Sequence, residues 1–98
     1  MDIIKFNFGG VYMEIIVKKP TEEEIAYMDK QPTWSCEPST FDWFYAQEEH
    51  CLLIEGDVTV KYGDKSVSFG PGDYVIFPKG LSCVWEVKKA VKKYYVFK

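Results

Sequence analysis

The chain has 98 residues, of which 47% are hydrophobic and 17% aromatic, values that exclude a disordered chain and fit one domain with a modest core. All 12 basic residues are lysines and the net charge is −3, so the two-pronged guanidinium grip on phosphates is missing and nucleic acid is not expected as a partner. Cys36, Cys51 and Cys83 form neither an even set nor a CxxC pair, which excludes a disulfide framework and a zinc ribbon.

Residues 3–8 and 12–17 read as two short strands around Gly9-Gly10, a hairpin extension within residues 1–18 that lies outside the main body. Thr21 followed three residues later by Glu24 has the form of a capping box, so a short helix is expected over residues 21–28, closed by Gln31-Pro32. From Thr33 onward the pattern is all strand: residues 34–37, 41–45, 51–55 and 58–62, the last two divided by Gly56-Asp57. Gly63-Asp64 turns the chain back through residues 65–69, and Gly70-Pro71-Gly72-Asp73 leads into residues 74–77. Pro78-Lys79-Gly80 then leads into residues 83–87 and 91–97. Lys88, Lys89, Lys92 and Lys93 read as a solvated turn and the outer face of the last strand. Short strands at nearly even spacing, with no linker or repeat, imply a single all-β domain, a sandwich or barrel with its core in residues 33–97. No run approaches the ~20 apolar residues of a membrane helix, and Met1-Asp2-Ile3-Ile4-Lys5 lacks the pattern of a secretion signal. A soluble, cytoplasmic protein without a membrane partner is expected.

Two spacings stand out. Glu49 is followed seven positions later by Gly56. Gly72, five residues, Pro78-Lys79-Gly80, two residues and Cys83 form the second frame. Both resemble the motifs of cupins, and the resemblance covers roughly residues 34–97. It implies a cupin-type double-stranded β-helix, a jelly-roll barrel, with one short N-terminal helix. Cupins place two histidines in the first motif and one at the end of the second, and these hold a metal with the glutamate. Here Trp43, Tyr45 and Cys83 stand at the histidine positions, and Glu49 alone keeps its ligand type. Phe41-Asp42-Trp43-Phe44-Tyr45, Glu49-His50-Cys51 and the run from Phe77 to Trp85 are similar to small single-domain members of the ureidoglycine-aminohydrolase-like cupin family. That family takes its name from an ammonia-releasing manganese enzyme. The mismatched ligands argue against carrying that reaction over, and neither metal nor other cofactor is expected.

Strand alternation sets Trp43 with Tyr45, Glu49 with Cys51 and Leu53, and Cys83 with Trp85 and Val87. In a cupin-like barrel these faces point inward, so one pocket would hold Trp43, Tyr45, Glu49, Cys83 and Trp85. Glu49 is either an acid/base group and ligand anchor or a carboxylate bonded to the Tyr45 hydroxyl or backbone amides. Cys83 is a nucleophile, a soft metal ligand or a small buried hydrophobe. Trp43 and Trp85 either stack a ligand or fill the core. His50 should face away from the pocket. The expected function is binding of a small organic molecule without the usual histidine-based metal site. Three alternatives stand beside it: an acid/base enzyme with Glu49 as base and Tyr45 as donor, a metal-dependent cupin using Glu49 and Cys83, and an interaction module with a vestigial pocket. Whether the protein is an enzyme stays open at this point. An exposed edge strand in the N-terminal hairpin suggests a homodimer.

Overall fold

The computed structural model describes residues 13–98. Seven strands and one helix follow in the order β1 (Ile16–Lys18), α1 (Glu22–Met28), β2 (Thr33–Cys36), β3 (Ser39–Phe44), β4 (Glu49–Tyr62), β5 (Lys65–Phe69), β6 (Tyr74–Phe77) and β7 (Ser82–Phe97). Every pairing is antiparallel. The two long strands β4 and β7 pair along most of their length and bend together. The beginning of β4 and the end of β7 lie in a sheet ordered β1-β6-β4-β7-β2. The end of β4 and the beginning of β7 belong to the opposite face, flanked by β5 and β3. Two facing sheets that share their central strands are the jelly-roll barrel expected from the sequence.

The bend explains a difference from the sequence reading, which divides each long strand in two. Gly56-Asp57 does not end β4. The register with β7 shifts between Leu53 and Glu55, Glu55 and Asp57, and Asp57 and Val58, so the strand bulges and turns a corner while staying paired. Gly56 has φ +124°, and a Cβ at this position would lie 2.8 Å from the Val91 Cα. The glycine therefore serves both the left-handed backbone and the close crossing of the two strands.

The barrel interior is filled by one alternating set of side chains. Cys51, Leu53, Val58 and Val60 come from β4, Trp85, Val87 and Val91 from β7, and Val75 and Phe77 from β6. Each such aliphatic or aromatic burial contributes roughly 1.5–3 kcal/mol. The opposite set, Leu52 and Tyr74, packs outward against Met28 of α1, so the helix covers one outer face of the barrel. Its start has the expected capping box: Thr21 Oγ1 accepts from the Glu24 amide and Glu24 Oε1 from the Thr21 amide. Lys18 pairs with the same Glu24 at 2.8 Å. That hydrogen bond, then the Thr21 amide, holds the Glu24 carboxyl below its ordinary pKa.

The second arm of the expected N-terminal hairpin is more than an extension. β1 adds to the sheet edge beside β6, with Ile16 opposite Ile76. Ile15 just before it is buried within the core, and its amide donates to the Tyr62 hydroxyl at 3.3 Å. The first arm and the Gly9-Gly10 turn lie outside the described residues. No helix among the described residues is long and apolar enough to cross a membrane.

Candidate functional site

One end of the barrel opens into a cavity of about 230 Å³. Its floor is polar. Glu49, the first residue of β4, sits opposite Phe77 of β6 and Phe97 of β7. Lys93 of β7 points into the same interior, and its Nζ lies 2.8 Å from Glu49 Oε2. Both side chains are nearly fully buried, at 7% and 6% exposure. Cys51 Sγ donates to the same carboxylate oxygen at 2.9 Å. The Lys93 ammonium also lies 4.7 Å from the ring centroid of Trp85 and 4.9 Å from that of Trp34, its cross-strand neighbour on β2. Cation–π attraction from these faces replaces part of the lost hydration. Burial works against the Lys93 ammonium, and the charge and hydrogen bond of the adjacent Glu49 carboxylate favour it, so its pKa lies above the ordinary lysine value. Burial also drives the Cys51 thiol far above its usual range, which keeps it a neutral donor.

Tyr45 follows β3 and is clamped to the loop before β7. Its amide donates to the Leu81 carbonyl at 2.9 Å, and its carbonyl accepts from the Gly80 amide at 2.7 Å. The ring stacks on Phe77 with centroids 4.6 Å apart. The hydroxyl accepts from Trp85 Nε1 at 3.0 Å. Burial, reinforced by the Glu49 charge, raises its pKa far above the usual tyrosine value. Tyr45 is therefore a proton-bearing donor at any working pH.

The walls are aromatic. Phe41 lies opposite Trp85 across the β3–β7 ladder and stacks on it at 6.0 Å. Trp34 meets both rings edge-on. Tyr95 and Phe97 close the far side. Trp43 stands at the mouth, half exposed, with its edge toward Tyr45.

Of the five residues placed in the pocket by the sequence, Trp43, Tyr45, Glu49 and Trp85 line it together. Cys83 is buried on the same strand face but is not part of the lining. Burial pushes its thiol up to about 11, which leaves little thiolate for nucleophilic or metal chemistry. Among the described residues the side-chain partners of Glu49 are Lys93 and Cys51, not the Tyr45 hydroxyl or a backbone amide. His50 faces outward as expected, with Nδ1 2.7 Å from the Tyr74 hydroxyl and Nε2 2.6 Å from Glu48 Oε2.

Lys93 is the residue the sequence reading misplaced. Lys88, Lys89 and Lys92 are exposed, as expected, whereas Lys93 is buried. The signal was present: Lys93 shares the odd-numbered alternation of Cys83, Trp85, Val87, Val91 and Tyr95. A cluster of like charges suggested a solvated segment, and the period-2 pattern contradicted it at this one position.

The pocket residues do not fit the metal that cupin barrels commonly carry. An ammonium already lies 2.8 Å from one oxygen of the Glu49 carboxylate, where a metal ion would meet its positive charge. Among the described residues, no three His, Cys, Asp or Glu side chains converge, and a bound cation wants about that many protein ligands.

No curated protein matches the chain. Solved structures do. The chain is similar to a DUF861 family protein of Thermotoga maritima, with 41% identity and a TM-score of 0.82 over 87% of this chain and 100% of that one. The fold is shared with the EutQ protein of Clostridium difficile, at 22% identity and TM-score 0.63 over 95% of this chain and 74% of that one. It is shared also with a putative ethanolamine utilization protein Q of Salmonella typhimurium, at 20% identity and TM-score 0.59 over 85% and 68%. The model of the EutQ-like cupin domain matches residues 23–95. The chain thus belongs to the EutQ-like cupin domain family.

Proposed function

We propose that this cupin binds a small organic molecule in the barrel pocket without a metal ion. The observation that carries the reading is the buried Glu49–Lys93 pair at the floor of an open aromatic cavity. A packed core would exclude such a pair or enclose it completely, because burying two charges costs more than hydrophobic filling. Here the pair faces space. Ligand sites combine apolar walls with a few converging polar groups, and this pocket has that composition. Its volume of about 230 Å³ falls below the ~300–1,000 Å³ of drug-sized sites, which favours a small metabolite.

The acid/base alternative requires Glu49 to take up a substrate proton beside the Lys93 ammonium and Cys51 thiol that hold its Oε2, and the metal alternative requires a metal ion next to that ammonium. Binding asks for neither. Placement in the ureidoglycine-aminohydrolase-like group, a cytoplasmic location and a homodimer stay with this proposal as expectations. Light scattering on the purified protein tests the last. The binding reading itself is tested by titrating the intrinsic tryptophan fluorescence with a panel of single-ring compounds in buffer containing EDTA. Saturable quenching or enhancement supports it. Binding that appears only on addition of manganese or zinc overturns it.

A further inference from the structure

We propose, resting on the binding reading above, that the pocket selects an uncharged, planar molecule whose edge carries an amide or lactam. Charge comes first. Glu49 and Lys93 neutralise one another at 2.8 Å with both side chains buried. An anionic ligand would have to take Lys93 from Glu49 and leave a carboxylate facing aromatic rings. A cationic ligand would take Glu49 and strand the ammonium in the same way. Either exchange replaces one buried pair by another and leaves a buried charge unmatched, which a single new contact does not offset.

The hydrogen-bond inventory then defines the ligand's edge. Glu49 Oε2 accepts from both Lys93 Nζ and Cys51 Sγ, at 2.8 and 2.9 Å. No described residue donates to Oε1. The Tyr45 hydroxyl accepts from Trp85 Nε1, and no described residue accepts its proton. Both residues are nearly fully buried, at 4% and 2% exposure, and both line the cavity. The floor therefore offers one strong acceptor and one donor that lack partners among the described residues, and buried groups of this kind carry a cost unless something satisfies them. An N–H beside a C=O on a rigid ring answers both at once, with the N–H donating to Glu49 Oε1 and the carbonyl accepting from Tyr45. The shape agrees. Stacked and edge-on rings from Trp34, Phe41 and Trp85 form flat walls, and such walls favour a planar guest through offset stacking.

Nicotinamide and uracil carry this edge without charge. Benzoate has similar size with an anionic edge, and toluene has no polar edge at all. Titration of each by isothermal calorimetry against the full chain separates the possibilities. Nicotinamide or uracil should bind at least about tenfold more tightly than benzoate or toluene, the scale of one well-made hydrogen bond to a charged group. Tyr45→Phe should erode that preference by about fivefold or more. A Glu49→Gln/Lys93→Met variant, which removes both charges together and avoids a stranded ion, should erode it further. Benzoate binding more tightly than nicotinamide would overturn the uncharged class while leaving a ligand pocket in place. Toluene matching nicotinamide, with Tyr45→Phe changing neither, would overturn the polar edge. Failure of all four compounds to bind would overturn both the selectivity and the binding reading beneath it.

Discussion

The Glu49–Lys93 pair separates the cost of breaking an ion pair from the worth of having one. Removing Lys93 alone leaves the buried Glu49 carboxylate with Cys51 as its one side-chain donor among the described residues. Lys93→Met should therefore destabilise the fold by about 3–5 kcal/mol, whereas Glu49→Gln/Lys93→Met should recover most of the loss. Urea denaturation of the three proteins checks this, and a double variant as unstable as the single one would refute it. The pair also has a pH signature. The folded pKa of Lys93 is raised above the ordinary lysine value of 10.5. Its contribution is therefore fully present below the unfolded pKa and is lost as pH rises through the folded one. Between pH 7 and 10 the stability gap between wild type and the double variant should stay flat, and above about pH 10.5 it should shift against wild type. Denaturation midpoints of both proteins along that pH series measure it. Glu49, Tyr45 and Trp85 were legible because strand alternation is local backbone geometry and the resemblance to the cupin motifs supplied which faces point inward. Lys93 was not read correctly, because its burial depends on a carboxylate 44 positions away and on ring faces brought by two other strands.

At the scale of elements, the corner of β4 sets where the pocket can form. It sends the first half of the strand, with Glu49, into one sheet and the second half, with Val58 and Val60, into the other. Gly56 makes the corner possible, and the local sequence shows only a Gly-Asp pair that looks like a turn. The information that the strand continues resides in its partner Val91, which presses against the glycine. By contrast the Lys65–Phe69 and Tyr74–Phe77 strands and the capped helix matched their expected limits closely, because hairpin turns and capping boxes are local devices. Gly56 and Gly63 allow a controlled comparison. Both have positive φ, but a Cβ at Gly63 meets nothing within 4 Å, and one at Gly56 meets the Val91 backbone. Gly63→Ala should cost about 1 kcal/mol, the penalty of the left-handed conformation alone. Gly56→Ala adds a steric clash and should cost about 2–4 kcal/mol. Thermal melts of the two variants test the ordering, and equal losses would mean that the crossing relaxes freely.

For the whole molecule, the decisive contrast is between the barrel it shares with other cupins and the cation it has substituted within it. The fold places a carboxylate at the pocket floor, where a metal-binding relative would add histidines. Here Trp43 and Tyr45, on β3 and just after it, and Cys83 on β7 stand at those positions, and β7 also supplies an ammonium. A divalent ion approaching Glu49 would meet Lys93 at hydrogen-bond distance from the same oxygen, and like-charge repulsion in a buried site is severe. Lys93 would have to withdraw from the rings and the carboxylate that hold it. The protein's thermal midpoint should therefore be indifferent to EDTA and to added manganese or zinc. The experiment is sensitive enough to be informative, since a metal held at one hundred times its dissociation constant stabilises by about 2.7 kcal/mol, which in a domain of this size raises the midpoint by roughly 10 °C or more. A rise of that size in wild type, absent from Glu49→Gln/Lys93→Met, would place the metal beside Glu49 and show that Lys93 yields to it. An unchanged midpoint across the series would leave the ammonium as the resident cation of this barrel.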